Sequence, residues 1–134
     1  MAGYSGTPLP QKLGIKPDAR VGLFEAPSGF EQTLGTLPDG ATVRTRLAGS
    51  LDVAVYFTTS RAALEKRFAA LAKAIAPAGG LWVSWPKKSS GKKTDLDENV
   101  VRAIGLAKGL VDVKVCAIDE TWSGLKFVVR VKDR

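Results

Sequence analysis

The sequence contains no histidine, and this absence excludes more chemistry than any other feature of its composition. Serine–histidine and cysteine–histidine nucleophile systems need an imidazole as general base, and most zinc sites use one as a ligand. The single cysteine, Cys116, cannot form an internal disulfide. It lies in an alternating apolar segment, which is typical of a small buried side chain. No spacing of metal ligands is present, so we predict no metal site.

Long hydrophobic runs are also missing. The runs at 51–57 and 81–85 are far shorter than the 18 or so apolar residues that span a membrane. Met1-Ala2-Gly3-Tyr4 lacks the basic and apolar regions of a signal peptide. We therefore expect a cytoplasmic protein without membrane contact. The length of 134 residues corresponds to one domain, residues 1–134, with residues 1–6 as a flexible arm.

The charge is unbalanced, with 20 Lys and Arg against 13 Asp and Glu and a net charge of +7. This excess favours an anionic partner, which would be a small molecule, a protein or nucleic acid. Nucleic-acid binding rests on the net charge alone, because the basic residues are scattered. Only Lys87, Lys88, Lys92 and Lys93 form a cluster, a candidate anion site for which the alternative is a solvated loop. No pattern indicates an oligomeric state.

Hydrophobic periodicity predicts alternating helices and strands. Leu64, Phe68, Leu71 and Ile75 form one apolar stripe of a helix that begins at Ser60. The predicted strands cover residues 19–26, 41–47, 51–57, 81–85, 111–118 and 125–131, and the other helices begin near residues 7, 28 and 94. The pattern indicates a single three-layer Rossmann-like α/β domain, whose mostly parallel sheet ends in a C-terminal antiparallel hairpin.

The strand at 41–47 is the exception to this parallel arrangement. Three residues separate it from the strand that starts at Leu51, too few for a parallel crossover between neighbours. We expect it to run antiparallel to its successor or to lie at an edge of the sheet. The helix that follows the strand at 19–26 should begin with a capping box of Ser28 and Glu31. The helix near residue 94 should have Thr94 or Asp95 as its cap.

From Leu51 onward, the element order and the segment Ala76-Pro77-Ala78-Gly79-Gly80 resemble the second half of class I methyltransferases. The whole chain also resembles a small bacterial family of uncharacterised proteins, on the segments 12–17, 80–88 and 119–125. The first resemblance implies a truncated methyltransferase core. The second implies a fold and no reaction.

The resemblance to methyltransferases breaks at the cofactor turn. Those enzymes hold S-adenosylmethionine with a Gly-x-Gly-x-Gly turn after the first strand and an acidic residue at the end of the second. The matching turn here reads Glu-Ala-Pro-Ser-Gly at 25–29, and the second strand carries Arg44 and Arg46. Side chains block the close approach of the backbone to the cofactor, and Pro27 lacks an amide donor. We therefore predict no cofactor.

Ligands of open α/β sheets bind outside the carboxyl ends of the strands. The residues that we place at this edge are Pro27, Ser28, Thr58, Thr59, Trp85, Lys87, Lys88, Asp119, Glu120 and Trp122. Trp85 and Trp122 would form a stacking wall, with the lysines on a phosphate or carboxylate. In the alternative, Trp85 plugs the truncated pocket, Trp122 packs against the hairpin, and the lysines pair with Asp119 and Glu120. We predict no catalytic residue.

Residues 87–94 partly match a phosphate-binding loop, and an anion on the following helix N-terminus is a looser form of the same hypothesis. The functional prediction is a non-enzymatic binding or regulatory module with a degenerate methyltransferase-like fold. The first alternative is a transferase with an atypical nucleotide- or phosphate-binding site, in which Lys87 or Lys88 holds phosphate. The second alternative is a nucleic-acid-binding protein.

Overall fold

The computed structural model of the protein describes residues 6–134. A six-stranded sheet carries helices on both faces, which confirms the predicted three-layer α/β fold. Apart from Gly6, the arm predicted for residues 1–6 lies outside the described residues. The elements in chain order are α1 (Leu9–Leu13), β1 (Arg20–Phe24), α2 (Phe30–Leu34), β2 (Thr42–Arg44), β3 (Leu51–Phe57), α3 (Arg61–Ala74), β4 (Ile75–Pro86), α4 (Glu98–Ala107), β5 (Leu110–Ala117) and β6 (Trp122–Val129).

The strand order is β2-β1-β3-β4-β6-β5. The first four strands are parallel, and β6 runs antiparallel to β4 and β5. The predicted parallel sheet with a C-terminal antiparallel hairpin is therefore confirmed. From β1 the chain steps outward to β2 and then returns to the other side of β1 as β3. The strand order thus reverses between β1 and β3.

The short strand β2 lies at the edge of the sheet and runs parallel to β1. The edge position is confirmed, whereas the antiparallel direction is wrong. With three residues β2 is only about 10 Å long. The six residues 45–50 extend to about 20 Å, so they reach back past β1 to start β3 in the same direction without a helix.

The apolar stripe of α3 is buried as predicted. Leu64, Phe68 and Leu71 are all fully inaccessible to solvent, and the Ser60 side chain caps the helix by accepting a hydrogen bond from Ala63 N. Ile75 begins β4 instead of ending the helix. The stripe packs on one face of the sheet, where the ring of Phe68 meets that of Phe127 edge to face at 5.5 Å.

Each face of the sheet has its own hydrophobic cluster. The cluster beneath α3 and α4 includes Tyr56 and Trp85, and the cluster beneath α1 and α2 includes Phe57 and Trp122. Neighbouring residues of one strand point to opposite faces, which assigns Tyr56 and Phe57 to different clusters. The side on which a residue lies thus follows from its position along its strand.

The predicted caps of α2 and α4 are wrong. Gly29, with a φ of +80°, is the N-cap of α2, so the helix begins one residue too late for a box of Ser28 and Glu31. Helix α4 is capped by Asp97, which accepts a hydrogen bond from Val100 N at 2.8 Å, rather than by Thr94 or Asp95. The buried residues of this helix are Val101, Ile104 and Gly105.

The terminal hairpin turns earlier than predicted, because β6 begins at Trp122 rather than at Leu125. Leu125 and Phe127 are buried, and Lys126 between them is half-buried on the other face, as strand alternation requires. Val131 lies beyond the strand and is exposed. No helix within residues 6–134 has the length and apolar character needed to cross a membrane.

Candidate functional site

Three cavities lie side by side along the carboxyl edge of the sheet. The β1–β2 cavity follows strands β1 and β2, the switch-point cavity lies between the ends of β1 and β3, and the lysine-loop cavity lies between the start of α3 and the loop at 88–97. Glu25 lines the first and the second, and Thr59 lines the second and the third. The reversal of strand order, where α/β sheets bind ligands, lies at the middle cavity.

The β1–β2 cavity has a volume of about 410 Å³. Leu23 and Val43 give it an apolar wall, and Thr45 adds a hydroxyl. Its two charged lining residues, Glu25 and Glu31, are both acidic. Such a lining favours a flat apolar group with hydroxyls or a positive charge over a phosphate.

The switch-point cavity, of about 620 Å³, has the opposite character. Lys66 and Arg67 outnumber the single carboxylate of Glu25, and Thr58 and Thr59 contribute polar side chains. The edge-to-face rings of Phe57 and Trp122, with centroids 5.2 Å apart, form its inner wall. This lining suits an aromatic or apolar ligand that carries an anionic group.

Glu25 stands between these two cavities in a strained conformation. It follows β1 directly and has a φ of +57°, a region that costs a residue with a Cβ about 1 kcal/mol or more. Its carboxylate lies 3.8 Å from the guanidinium of Arg67, which itself lies 5.7 Å from the ring centre of Tyr56. An ion pair this exposed contributes about 1 kcal/mol at most. The Glu25 carboxylate therefore stays available to a ligand.

Two cationic residues of this site, Lys66 and Arg67, were not predicted from the sequence. Together with Ala63 they occupy positions i, i+3 and i+4 of α3, so they share one helix face at the rim of the switch-point cavity. That spacing was the available signal. It became informative only when the start of α3 was placed at the carboxyl end of β3.

The lysine-loop cavity is the widest of the three, at about 900 Å³, and Lys88, Lys92 and Lys93 line it. Two residues of the loop at 88–97 attach it by hydrogen bonds to the start of α3. Thr94 Oγ1 donates a hydrogen bond to Thr59 O at 2.7 Å, and Asp95 Oδ1 accepts one from Arg61 N at 2.7 Å.

The anion predicted on the N-terminus of the helix after this loop is contradicted by the cap. Asp97 occupies that position on α4, and Glu98 adds a second carboxylate in its first turn. The start of α3 is likewise taken by Ser60 and Asp95. Any anion in the lysine-loop cavity would therefore rest on lysine side chains.

The tryptophan wall does not form. Trp85 and Trp122 lie on opposite faces of the sheet, in different core clusters, because Trp122 pairs with Pro86, the residue next to Trp85. Trp85 is buried under α3 and α4, where it fills the core, and Trp122 alone reaches a cavity. The alternative, in which the two indoles pack separately, describes the structure better.

The remaining edge residues are divided among these cavities. Pro27 and Ser28 line the β1–β2 cavity, as expected for the cofactor turn. Lys87, Asp119 and Glu120 line none of the three. Asp119 accepts hydrogen bonds from the backbone of its own turn, and within residues 6–134 no ion pair joins it or Glu120 to Lys87 or Lys88. The predicted lysine–carboxylate pairs are wrong.

The β1–β2 cavity does not fit S-adenosylmethionine in the pose that a glycine turn supports. Pro27 has no N–H, and the amide of Phe30 at the start of α2 already donates to Pro27 O. Residues 44–46, at and after the end of β2, read Arg-Thr-Arg and offer no carboxylate to a ribose. A nucleoside held here would instead use the carboxylates of Glu25 and Glu31.

Comparison with known proteins gives similarity in structure alone. No protein-family model matches the chain, and no curated sequence matches it. Among solved structures, it is similar to a SAM-dependent methyltransferase from Aquifex aeolicus, at 12% identity with 87% of this chain and 85% of that chain covered and a TM-score of 0.63. The fibrillarin pre-rRNA processing protein of Methanococcus jannaschii gives 12% identity, coverage of 95% and 70%, and a TM-score of 0.63. The chain is also similar to the N-methyltransferase NodS from Bradyrhizobium japonicum WM9, at 13% identity, with 92% of this chain and 98% of that chain covered and a TM-score of 0.58.

These matches confirm the methyltransferase-like fold that the sequence predicted. They also overturn the prediction of a non-enzymatic module, which is wrong because structures that share this fold over 85% and 98% of their own length are described as methyltransferases. That prediction rested on the missing cofactor glycines, the missing histidines and the polar and aromatic residues at the carboxyl edge. The core is present, and the transferase alternative agrees better with it.

Proposed function

We propose that the protein is a transferase that binds a nucleoside-like donor in the β1–β2 cavity and an anionic acceptor in the switch-point cavity. The observation that carries the proposal is the contact of both cavities with Glu25 at the reversal of strand order. A transferase must bring two molecules together at one point, and two cavities with a shared residue provide that arrangement.

The charges of the two cavities support this order of ligands. The β1–β2 cavity is acidic and partly apolar, so it favours a nucleoside without phosphates, and a positively charged one above all. Lys66 and Arg67 favour an anionic group on the acceptor in the switch-point cavity. The similar structures include a methyltransferase described with bound SAH, and methyl transfer is the reaction class that this fold favours.

The neighbouring lysine-loop cavity extends the acceptor side. It joins the switch-point cavity at Thr59, and Lys88, Lys92 and Lys93 would hold a phosphate of a larger acceptor. Lys87, the fourth lysine of the predicted anion site, lies behind the loop with its amide bonded to Thr121 O. We therefore assign the anion-binding role to the other three.

A thermal-shift series tests the donor site. Adenosine, S-adenosylmethionine and S-adenosylhomocysteine should each raise the melting temperature by a few degrees at ten times their Kd, whereas ATP should not, because its phosphates would meet Glu25 and Glu31. Thr45→Phe, which fills the β1–β2 cavity, should abolish the shift. Arg44→Phe is the matched control, because Arg44 lies next to it outside the cavity lining.

The control separates occupancy of the cavity from damage to the edge strand. Arg44→Phe should keep the shift of the wild type. A shift that survives Thr45→Phe, or a chain stabilised by ATP and not by adenosine, would refute the assignment of a nucleoside to this cavity.

A further inference from the structure

A further cavity, of about 500 Å³, lies at the opposite edge of the sheet, at the amino ends of β1, β3 and β4, and is called the amino-edge cavity below. Its lining includes Gly14, at the end of α1, and Gly80, near the start of β4, together with the side chains of Lys16 and Lys126. It shares no residue with the three carboxyl-edge cavities. A ligand here would be independent of the proposed transferase site.

Lys126, the half-buried lysine of this cavity, lies against two glycines, Gly80 and Gly14. A Cβ on Gly80 would collide with the Lys126 stem, and a Cβ on Gly14 would lie 3.5 Å from Lys126 Nζ. Gly80 thus leaves the space through which the stem of Lys126 crosses β4, and Gly14 at the end of α1 lies close to its ammonium. The ammonium group is therefore positioned rather than free to swing in solvent.

Lys126 is surrounded by charge of its own sign. Burial lowers the pKa of its ammonium, and the nearby charges of Lys114 and Lys16 lower that pKa further. Among residues 6–134 no hydrogen bond or ion pair is found for Lys126. Asp18 and Asp52 line the same cavity, but Asp52 is bound to Arg20, whose backbone N donates to it at 2.8 Å.

Lys16 and Lys114 lie around the half-buried ammonium of Lys126, and no ion pair within residues 6–134 joins any of these three lysines to a carboxylate, which is unfavourable on its own. An anion in the cavity would reverse the sign of this interaction, because each lysine would then attract the ligand. We propose that the amino-edge cavity is a binding site for a small oxyanion of the phosphate class, with Lys126 as its central ligand and Lys16 and Lys114 as flanking charges.

Substitution of Lys126 by methionine tests the proposal, because methionine keeps an unbranched stem and removes the charge. Thermal unfolding would be followed in inorganic phosphate and in chloride at equal ionic strength. The wild type should be stabilised by several degrees in phosphate, and Lys126→Met should lose that shift while melting higher than the wild type in chloride. Lys73→Met, on the exposed surface of α3 and outside the lining of the cavities described above, is the matched control and should retain the shift.

A side-chain measurement distinguishes a bound anion from general stabilisation. The pKa of Lys126, followed by NMR of its side-chain nitrogen, should rise when phosphate is added, and the side-chain nitrogen signal of Lys73 on the exposed surface of α3 should not shift. Glycerol phosphate in place of inorganic phosphate would show whether a phosphate monoester is accepted, and either ligand supports the site.

Three results would overturn the proposal. The first is a phosphate shift that Lys92→Met removes and Lys126→Met retains, which would place the anion in the lysine-loop cavity. The second is the absence of any shift in the wild type at matched ionic strength. The third is stabilisation by a short DNA duplex but not by inorganic phosphate or glycerol phosphate, which would make the lysines part of a nucleic-acid surface.

Discussion

At the scale of single residues, Glu25 is the position where local backbone chemistry and the proposed function meet. A left-handed glutamate is uncommon, because its Cβ crowds the following carbonyl. Backbone strain of this kind concentrates at functional sites, where the surrounding structure holds the residue in place. The position of Glu25 between two cavities gives a reason for the strain.

Comparison of Glu25→Gly with Glu25→Ala separates strain from function. Both variants lose the carboxylate and its exposed pairing with Arg67, but only glycine relieves the positive φ. Glu25→Gly should therefore be the more stable by about 1 kcal/mol in urea unfolding. Both should lose the stabilisation by adenosine. Equal stability of the two variants would show that Glu25 is not strained.

The sequence located much of this site and missed its centre. Pro27, Ser28, Thr58, Thr59 and Trp122 were all placed at the edge, because each follows or begins a strand whose direction the element order fixes. Glu25 was not among the residues predicted for this edge. Its role depends on a backbone angle and on two cavities that no local pattern encodes.

At the scale of secondary-structure elements, helix α4 shows how packing overrides propensity. Gly105 lies inside the helix, where alanine would normally be the better residue by about 1 kcal/mol. A Cβ at this position, however, would collide with the ring of Phe127. The glycine therefore lets α4 approach β6 closely.

Gly105→Ala should for this reason destabilise the protein, by roughly 1–3 kcal/mol, as overpacking of a core does. Chemical denaturation would measure the change. Phe127→Leu in the same chain should recover part of the loss by making room for the added methyl group. A more stable Gly105→Ala variant would mean that the helix and the ring are not in close contact.

A charged cluster fixes the other side of the same helix to the edge strand. Arg102 Nε donates to Asp112 Oδ2 at 2.8 Å, and Arg102 also pairs with Glu98 on its own helix. The hydrogen bond from Arg102 lowers the pKa of Asp112 below its ordinary value of 3.8. A carboxyl whose pKa is lower in the folded state stabilises the fold at pH values above its ordinary pKa. This stabilisation is lost as the pH falls through the pKa of the folded state.

Asp112→Asn should accordingly be less stable than the wild type at pH 7, and the difference should shrink as pH falls below about 4. Urea unfolding of both proteins over this range would measure it. Asp133→Asn, at an exposed position near the C-terminus, should match the wild type throughout. A difference between Asp112→Asn and the wild type that stays constant with pH would contradict the role of the ionised carboxylate.

Elements with a long regular pattern were predicted well, and short elements were not. The stripe of α3 spans several turns, so its phase and burial followed from the sequence. The cap of α4 was misplaced by two or three residues, because Thr94, Asp95 and Asp97 each accept a hydrogen bond from a backbone N–H. The cap of α2 was misplaced by one residue, because Gly29 takes that position through its positive φ without a side-chain hydrogen bond. The direction of β2 depended on its length of three residues, which the apolar alternation over residues 41–47 overstated.

At the scale of the whole molecule, the chain combines a methyltransferase-like sheet with an unusual carboxyl edge. The sheet keeps the strand reversal and the terminal hairpin. At that edge, the glycines of the cofactor turn are replaced by Pro27 and Ser28, and acidic and basic residues are divided between two adjoining cavities. The central claim is that this edge binds a nucleoside.

The most direct test of this claim is to map the binding of S-adenosylhomocysteine on the amide spectrum of the ¹⁵N-labelled protein. We expect saturable shifts of the amide signals of Ser28, Gly29 and Thr45, which line the β1–β2 cavity, and smaller shifts at Thr58. The amide of Lys126, at the opposite edge, should not move. Saturable shifts confined to the amino edge, or none at millimolar ligand, would contradict the claim that the carboxyl edge is a nucleoside site.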